Sequence, residues 1–146
     1  MSLTYPHIAI FGASAQVLEF EDGLQLIVRS GTFVENFEVK IDKVTGEMIV
    51  GQPALTAAYV FVNFKDLDTG DESKAYHPVP NKKILLTVPS LVETTAAPAR
   101  MLHSKGKGYP QPDLWAPRPD VGVDPISSTG YFIEFNSLST FHVTQD

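Results

Sequence analysis

The sequence predicts a mainly β chain, an antiparallel β-sandwich or flattened barrel with one long Pro-rich loop and at most one or two short helices. Three observations lead there. Short stretches alternate apolar and polar residues at period two, the pattern of a strand with one wet face. Turn-forming Asp-Gly and Asp/Thr/Gly clusters separate them at short spacing, as in sandwiches and barrels. One stretch, 89–125, breaks the alternation with proline.

Taken in order, His7 to Phe11 reads as a strand ending at Gly12. From Ala15 to Ser30, Leu18 and Phe20 alternate with Glu19 and Glu21, and Leu24, Leu26 and Val28 alternate around Gln25. Asp22-Gly23 lies between the halves, and this dipeptide suits a two-residue type I′ hairpin turn. From Phe33, the odd positions Phe33, Phe37, Val39 and Ile41 are apolar and Asn36, Glu38 and Lys40 polar, predicting a half-buried strand that Glu35 interrupts. Asp42 to Gly46 is expected to turn, with Met48, Ile49 and Val50 returning as a partner strand. Ala57 to Phe64 is apolar on both parities, as in a central strand covered on both faces. Asp66 to Ser73 reads as a turn and Lys83 to Pro89 as a short buried strand. Tyr131–Phe135 and Phe141–Thr144 are expected to pair around Asn136-Ser137-Leu138.

The segment 89–125 holds most of the prolines. Proline removes an amide donor and biases its predecessor toward extended geometry, so Tyr109 to Pro119 is excluded from an interior strand or a helix. Ser90 with Glu93 fits a capping box, and Pro98 can open a second short helix toward Gly106. A connection of this length inside a small domain is typically a binding loop, an arm that docks on a partner, or a disordered segment, and function is expected there. The chain is expected to be one β domain, 1–146, with this segment as an irregular arm or loop within it.

Composition removes several chemistries. Of 146 residues none is Cys, so there is no disulfide, thiolate nucleophile or Cys-ligated metal. Seventeen acidic against eleven basic residues give a formal charge of -6, which repels a phosphate backbone. No nucleic-acid or membrane partner is expected. The first residues show no cationic leader and no long apolar run, so the expected location is cytoplasmic, or within an assembled particle, without a signal peptide. No cofactor is expected.

Candidate motifs are sparse. HIAIFGA, residues 7–13, resembles the first strand and glycine turn of dinucleotide-binding proteins. Only Gly12 is present, however; Ser14 and Val17 stand where later glycines belong, and a hairpin follows where the motif needs a helix. Asp66, Asp68 and Gly70 suggest a calcium loop, but the twelfth position is His77 and not a carboxylate, so the solvated turn is the better reading and no metal site is assigned. Arg100, His103, Lys105 and Lys107, interleaved with glycine, form a possible anion-binding set. Tyr109, Asp113, Leu114, Trp115 and Arg118 lie on the stiff proline-bearing ribbon and are the expected partner- or ligand-binding residues, since a pre-extended chain with large rings loses little entropy on docking. The opposing reading of Trp115 is that it pins the loop to its own core. His7, His77, His103 and His142 show no metal-ligand spacing. Glu35 and Glu134 are the candidate carboxylate pair of a small hydrolase, Glu35 because it falls on an apolar strand face.

The function expected from the sequence is therefore a non-catalytic interaction or assembly module, a subunit of a homo-oligomer or larger particle, with itself or another protein as partner. The alternatives are a glycan-binding module in which Tyr109 and Trp115 stack on sugar, with Asp113, Asp120 or Arg118 bonding hydroxyls, and a β-fold hydrolase using Glu35, Glu134 or His103.

Overall fold

A computed structural model describes residues 2–44, 55–91, 99–104, 109–110, 115–127 and 129–145. These hold eleven strands and no helix: β1 His7–Phe11, β2 Gln16–Glu19, β3 Gln25–Val28, β4 Phe37–Val44, β5 Ala58–Asp66, β6 Ile84–Pro89, β7 Ala99–Ser104, β8 Trp115–Pro117, β9 Val123–Ser127, β10 Gly130–Phe135 and β11 Phe141–Gln145. They form two packed antiparallel sheets, a β-sandwich. One sheet has the order β1-β4-β5-β11-β7-β8, the other β2-β3-β6-β10-β9.

The alternation seen in the sequence sets which face is dry. On β4, Phe37, Val39 and Ile41 are buried while Glu38, Lys40 and Asp42 are half-buried. On the facing sheet, Leu26 and Val28, then Ile84, Leu86 and Val88, then Tyr131, Ile133 and Phe135, fill the other side. Each such side chain contributes about 1.5–3 kcal/mol by leaving water. Aromatic rings carry the contact between sheets: Phe135 of β10 meets Phe141 of β11 edge-on, with centroids 5.1 Å apart. As its two-sided apolar run requires, β5 is central, and Ala58 to Val62 are all buried.

Five local expectations are corrected. The β2–β3 hairpin forms with Gln16 opposite Val28, but its turn has three residues. Phe20 N–H donates to the Leu24 carbonyl at 2.9 Å and Gly23 N–H to the Phe20 carbonyl at 3.0 Å. Only Gly23 takes a positive φ, 102°, so Asp22 stays in ordinary backbone geometry and frees its carboxylate for tertiary contacts. A type I′ turn would have needed positive φ at Asp22 too.

The strand expected from Phe33 begins at Phe37 instead. Phe33 is buried ahead of it, edge-on to Phe37 at 5.0 Å. Glu35 therefore sits before the strand, half-buried with Lys74 Nζ at 3.8 Å, not desolvated on an apolar face. At its other end β4 runs through Asp42, Lys43 and Val44, paired with Val60, Tyr59 and Ala58, so the expected turn does not start at Asp42. Met48–Val50 lie outside the described residues.

β10 and β11 do not pair with each other. The first lies between β6 and β9, the second between β5 and β7, and residues 136–140 cross between sheets. Phe135 and Phe141 both point into the core, which a crossover permits as readily as a hairpin, so alternation alone did not distinguish them.

The short helix expected from Pro98 toward Gly106 is strand β7, in register with β11 from Ala99↔Gln145 to His103↔Phe141. Arg100 to His103 gain a full ladder there, which a lone helical turn cannot match. Among the described residues of 109–119, only Trp115–Pro117 form a strand, the sheet edge β8; Pro125 lies on the edge strand β9, while Pro89 ends the interior strand β6. Glu93, Lys105, Lys107, Asp113 and Leu114 fall outside the described residues.

Candidate functional site

β5 meets β11 at one register position, Tyr59↔Phe141. Beyond it the two halves of the six-stranded sheet diverge. At Asn63 the β5 backbone takes φ 58°, and the β4–β5 register shifts between Glu38 and Lys40, so two residues of β5 face one of β4. Such a bulge bends its strand and increases local twist, and Asn tolerates the left-handed region better than other side chains. The bend carries the end of β5 away from β7 and opens a cleft of about 670 Å³.

Six described segments line it: Glu38 on β4, Phe61 to Lys65 on β5, Glu72 to His77 after the turn, His103 and Ser104 at the end of β7, Arg118 after β8, and Ser137 to Thr140 in the crossover. Phe61 and Leu138 are buried beneath it and Phe64 is half-buried. Above them stand hydroxyls. Thr140 Oγ1 accepts the Phe61 N–H at 3.1 Å, capping the first β5 amide left without a strand partner, and Ser137 and Ser139 hydroxyls lie 3.3 Å apart. Ser104 is 7% exposed and its hydroxyl has no hydrogen-bond partner.

Two of the cations lining the cleft, Arg118 and Lys74, are ion-paired in place, and Glu38 and Glu72 add carboxylates to the lining. Arg118 grips Asp120 with two bonds of 3.0 Å, and donates to Asn136 Oδ1 at 2.7 Å and Ser137 Oγ at 3.3 Å. The Arg118 guanidinium, then the Asn136 amide, hold the Asp120 carboxyl far below the usual carboxylate range. Lys74 Nζ lies 3.9 Å from Asp66 Oδ2. Asp66 in turn accepts the N–H groups of Asp68 and Thr69 at 2.8 and 3.0 Å, which lower its pKa despite opposing desolvation. Lys65 stands opposite Glu38 in register.

Asp66 thus serves its own turn. Among the described residues no group of three or more His, Asp or Glu converges as a metal site, and the calcium-loop carboxylates close a turn instead.

The expected ligand residues are dispersed. Tyr109 is 37% exposed; its hydroxyl donates to Asp42 Oδ2 at 2.5 Å and Lys40 Nζ lies 5.6 Å from its ring centre, so it sits over β4. Trp115 is half-buried and edge-on to His142 of β11 at 4.4 Å. β5 runs between those two strands, so the two rings form no common platform, and Trp115 pins β8 to its own chain. Arg118 borders the cleft as a clamp between β8 and the crossover. Of the anion set, His103 lines the cleft and Arg100 pairs in register with Thr144, with its Nε buried and unpaired. Glu134 is exposed on β10; neither it nor Glu35 lines the cleft.

Sequence reading missed Ser104, Leu138 and Thr140. For Leu138 and Thr140 the only signal is the hydroxyl-rich string NSLST at 136–140, which alone reads as a turn, and Ser104 has no signal of its own. The β5 bulge brings it opposite β7, and one-dimensional spacing does not encode that. The fold is a β-sandwich with a cleft beside the β5 bulge. No family model, curated protein or solved structure matches this chain.

Proposed function

We propose that this chain is a non-catalytic assembly module that pairs with a second copy of itself along β1. The observation that carries the reading is the character of the four sheet edges. β8 is protected by Pro117 and β9 by Pro125, residues that cannot donate to a further strand. β2 is covered at its end by Leu3, whose N–H donates to the Glu19 carbonyl at 2.8 Å and whose carbonyl accepts the Glu21 N–H at 2.9 Å. Among the described residues β1 has neither protection. It carries no Lys, Arg, Asp or Glu, and Ile8 and Ile10 are 63% and 56% exposed.

Pairing about a two-fold axis through Ala9 sets Ile8 against Ile10 of the second copy. On β4, Lys40 lies beside Ile8 and Glu38 beside Ile10. Each row across the seam then begins at Lys40 of one copy and ends at Glu38 of the other, with opposite charges flanking an apolar centre. An isologous contact of this kind closes on itself and does not propagate. In the single chain the Gln16 side-chain amide donates to the Ile10 carbonyl; a paired strand replaces that bond with a ladder bond.

Sedimentation equilibrium is expected to return a dimer for the wild-type chain and a monomer for Ile10→Lys, with far-ultraviolet circular dichroism unchanged by the substitution. A wild-type monomer across the accessible concentration range, or an Ile10→Lys dimer, overturns the reading.

A further inference from the structure

We propose that the cleft beside the β5 bulge binds an uncharged, hydroxyl-rich ligand of the carbohydrate class. The site differs from the Tyr109–Trp115 ribbon, and the proposal does not depend on β1 pairing.

Size is the first argument. About 670 Å³ falls within the ordinary range of small-molecule sites, wide enough for one or two sugar rings. Charge is the second. Arg118 and Lys74 are engaged by Asp120, Asp66 and Glu35, Lys65 lies opposite Glu38 in register, and Glu38 and Glu72 are carboxylates of the lining. An anion would have to displace the carboxylates that hold Arg118 and Lys74 or approach Glu38 and Glu72, whereas a neutral ligand leaves both cations with their partners.

The third argument is the lining. A sugar ring has an apolar face of C–H groups and a rim of hydroxyls that both donate and accept. The cleft offers the complement, with Phe61, Phe64 and Leu138 below and the hydroxyls of Ser104, Ser139 and Thr140 at the wall. Of these, Ser104 points to a missing partner. Its residue is 7% exposed and its hydroxyl unbonded, and leaving a buried polar group unpaired is costly. The hydroxyl is itself sealed from solvent, so a ligand hydroxyl supplies the absent bond once the wall gives enough to uncover it.

The test uses the full chain and neutral probes, methyl glucoside, methyl galactoside, maltose and cellobiose, with glucuronate and glucosamine as their charged counterparts. Amide correlation spectra are expected to show saturable shifts near Ser104, Leu138 and Thr140 with a neutral probe, and weaker binding of glucuronate. Ser104→Ala removes the orphan hydroxyl, so its melting temperature is expected to match or exceed that of the wild type while neutral-probe affinity falls about tenfold, the effect of one lost hydrogen bond. Three results would overturn the proposal: no saturable shift with any neutral probe, tighter binding of a charged probe than of its parent, or wild-type affinity in Ser104→Ala. An oligomeric state altered by Ile10→Lys has no bearing on any of them.

Discussion

At the scale of single residues, the buried side chains without partners carry the most consequence. His142 is fully buried on β11 and neither ring nitrogen is hydrogen-bonded. Desolvation outweighs the nearby Val143 backbone and pushes its pKa down from 6.5 to about 4. Between those values the unfolded chain binds a proton that the folded chain refuses, so stability is full above pH 6.5 and falls as pH drops toward 4. The loss attached to this one residue is about 3 kcal/mol. His142→Leu carries no titrating group, so its urea midpoint is expected to fall less than that of the wild type between pH 7 and pH 4. Equal losses in both proteins would show that His142 does not control the acid limb. In the sequence His142 is merely one of four scattered histidines; that it is sealed against Trp115 required the three-dimensional arrangement of β8, β7 and β11.

At the scale of elements, the β2–β3 hairpin was legible and its role was not. Alternation and Asp22-Gly23 locate the strands and the reversal. They do not show that the turn docks on the other sheet. Asp22 accepts hydrogen bonds from Tyr5 and Tyr59 hydroxyls, each at 3.0 Å, and from the Leu24 N–H at 3.1 Å, with Lys43 Nζ at 3.0 Å. Burial alone would raise its pKa, but the Leu24 amide, Lys43 and Tyr59 together reverse that and lower it. Because the folded pKa lies below the ordinary 3.8, this stabilisation is present above that value and is lost as pH falls through the folded one. Burial, followed by the Asp22 charge, raises the pKa of both tyrosines, so they remain donors throughout the neutral range. Asp22→Ala strands two hydroxyls and an ammonium at once, and is expected to cost about 3 kcal/mol, measured by urea denaturation at pH 7. A loss within the ordinary surface range of about 0.5 kcal/mol would remove Asp22 as the tie between the sheets.

For the whole molecule, β11 is the strand on which the six-stranded sheet depends. It joins β1-β4-β5 to β7-β8, and the segment before β5 also binds to it: the Leu55 N–H donates to the Val143 carbonyl at 2.8 Å and the Val143 N–H to Thr56 Oγ1 at 3.0 Å. A chain ending after Thr140 loses Phe141, His142, Val143 and Thr144, all buried. Its thermal transition by circular dichroism is expected to lose cooperativity or vanish. A truncated chain melting like the full one would mean that the two halves of the sheet stand independently.

Side-chain period and backbone chemistry acting over a few residues were enough to set the all-β class, most strand positions, the central burial of β5 and the exclusion of Trp115–Pro117 from a sheet interior. Tertiary structure alone decided that β10 and β11 enter different sheets, that Ala99–Ser104 joins a ladder, and that hydroxyls from β7 and the crossover gather at the bulge of β5. Those outcomes depend on which distant backbone groups find partners, and a period of two is identical for a strand whichever neighbour it meets.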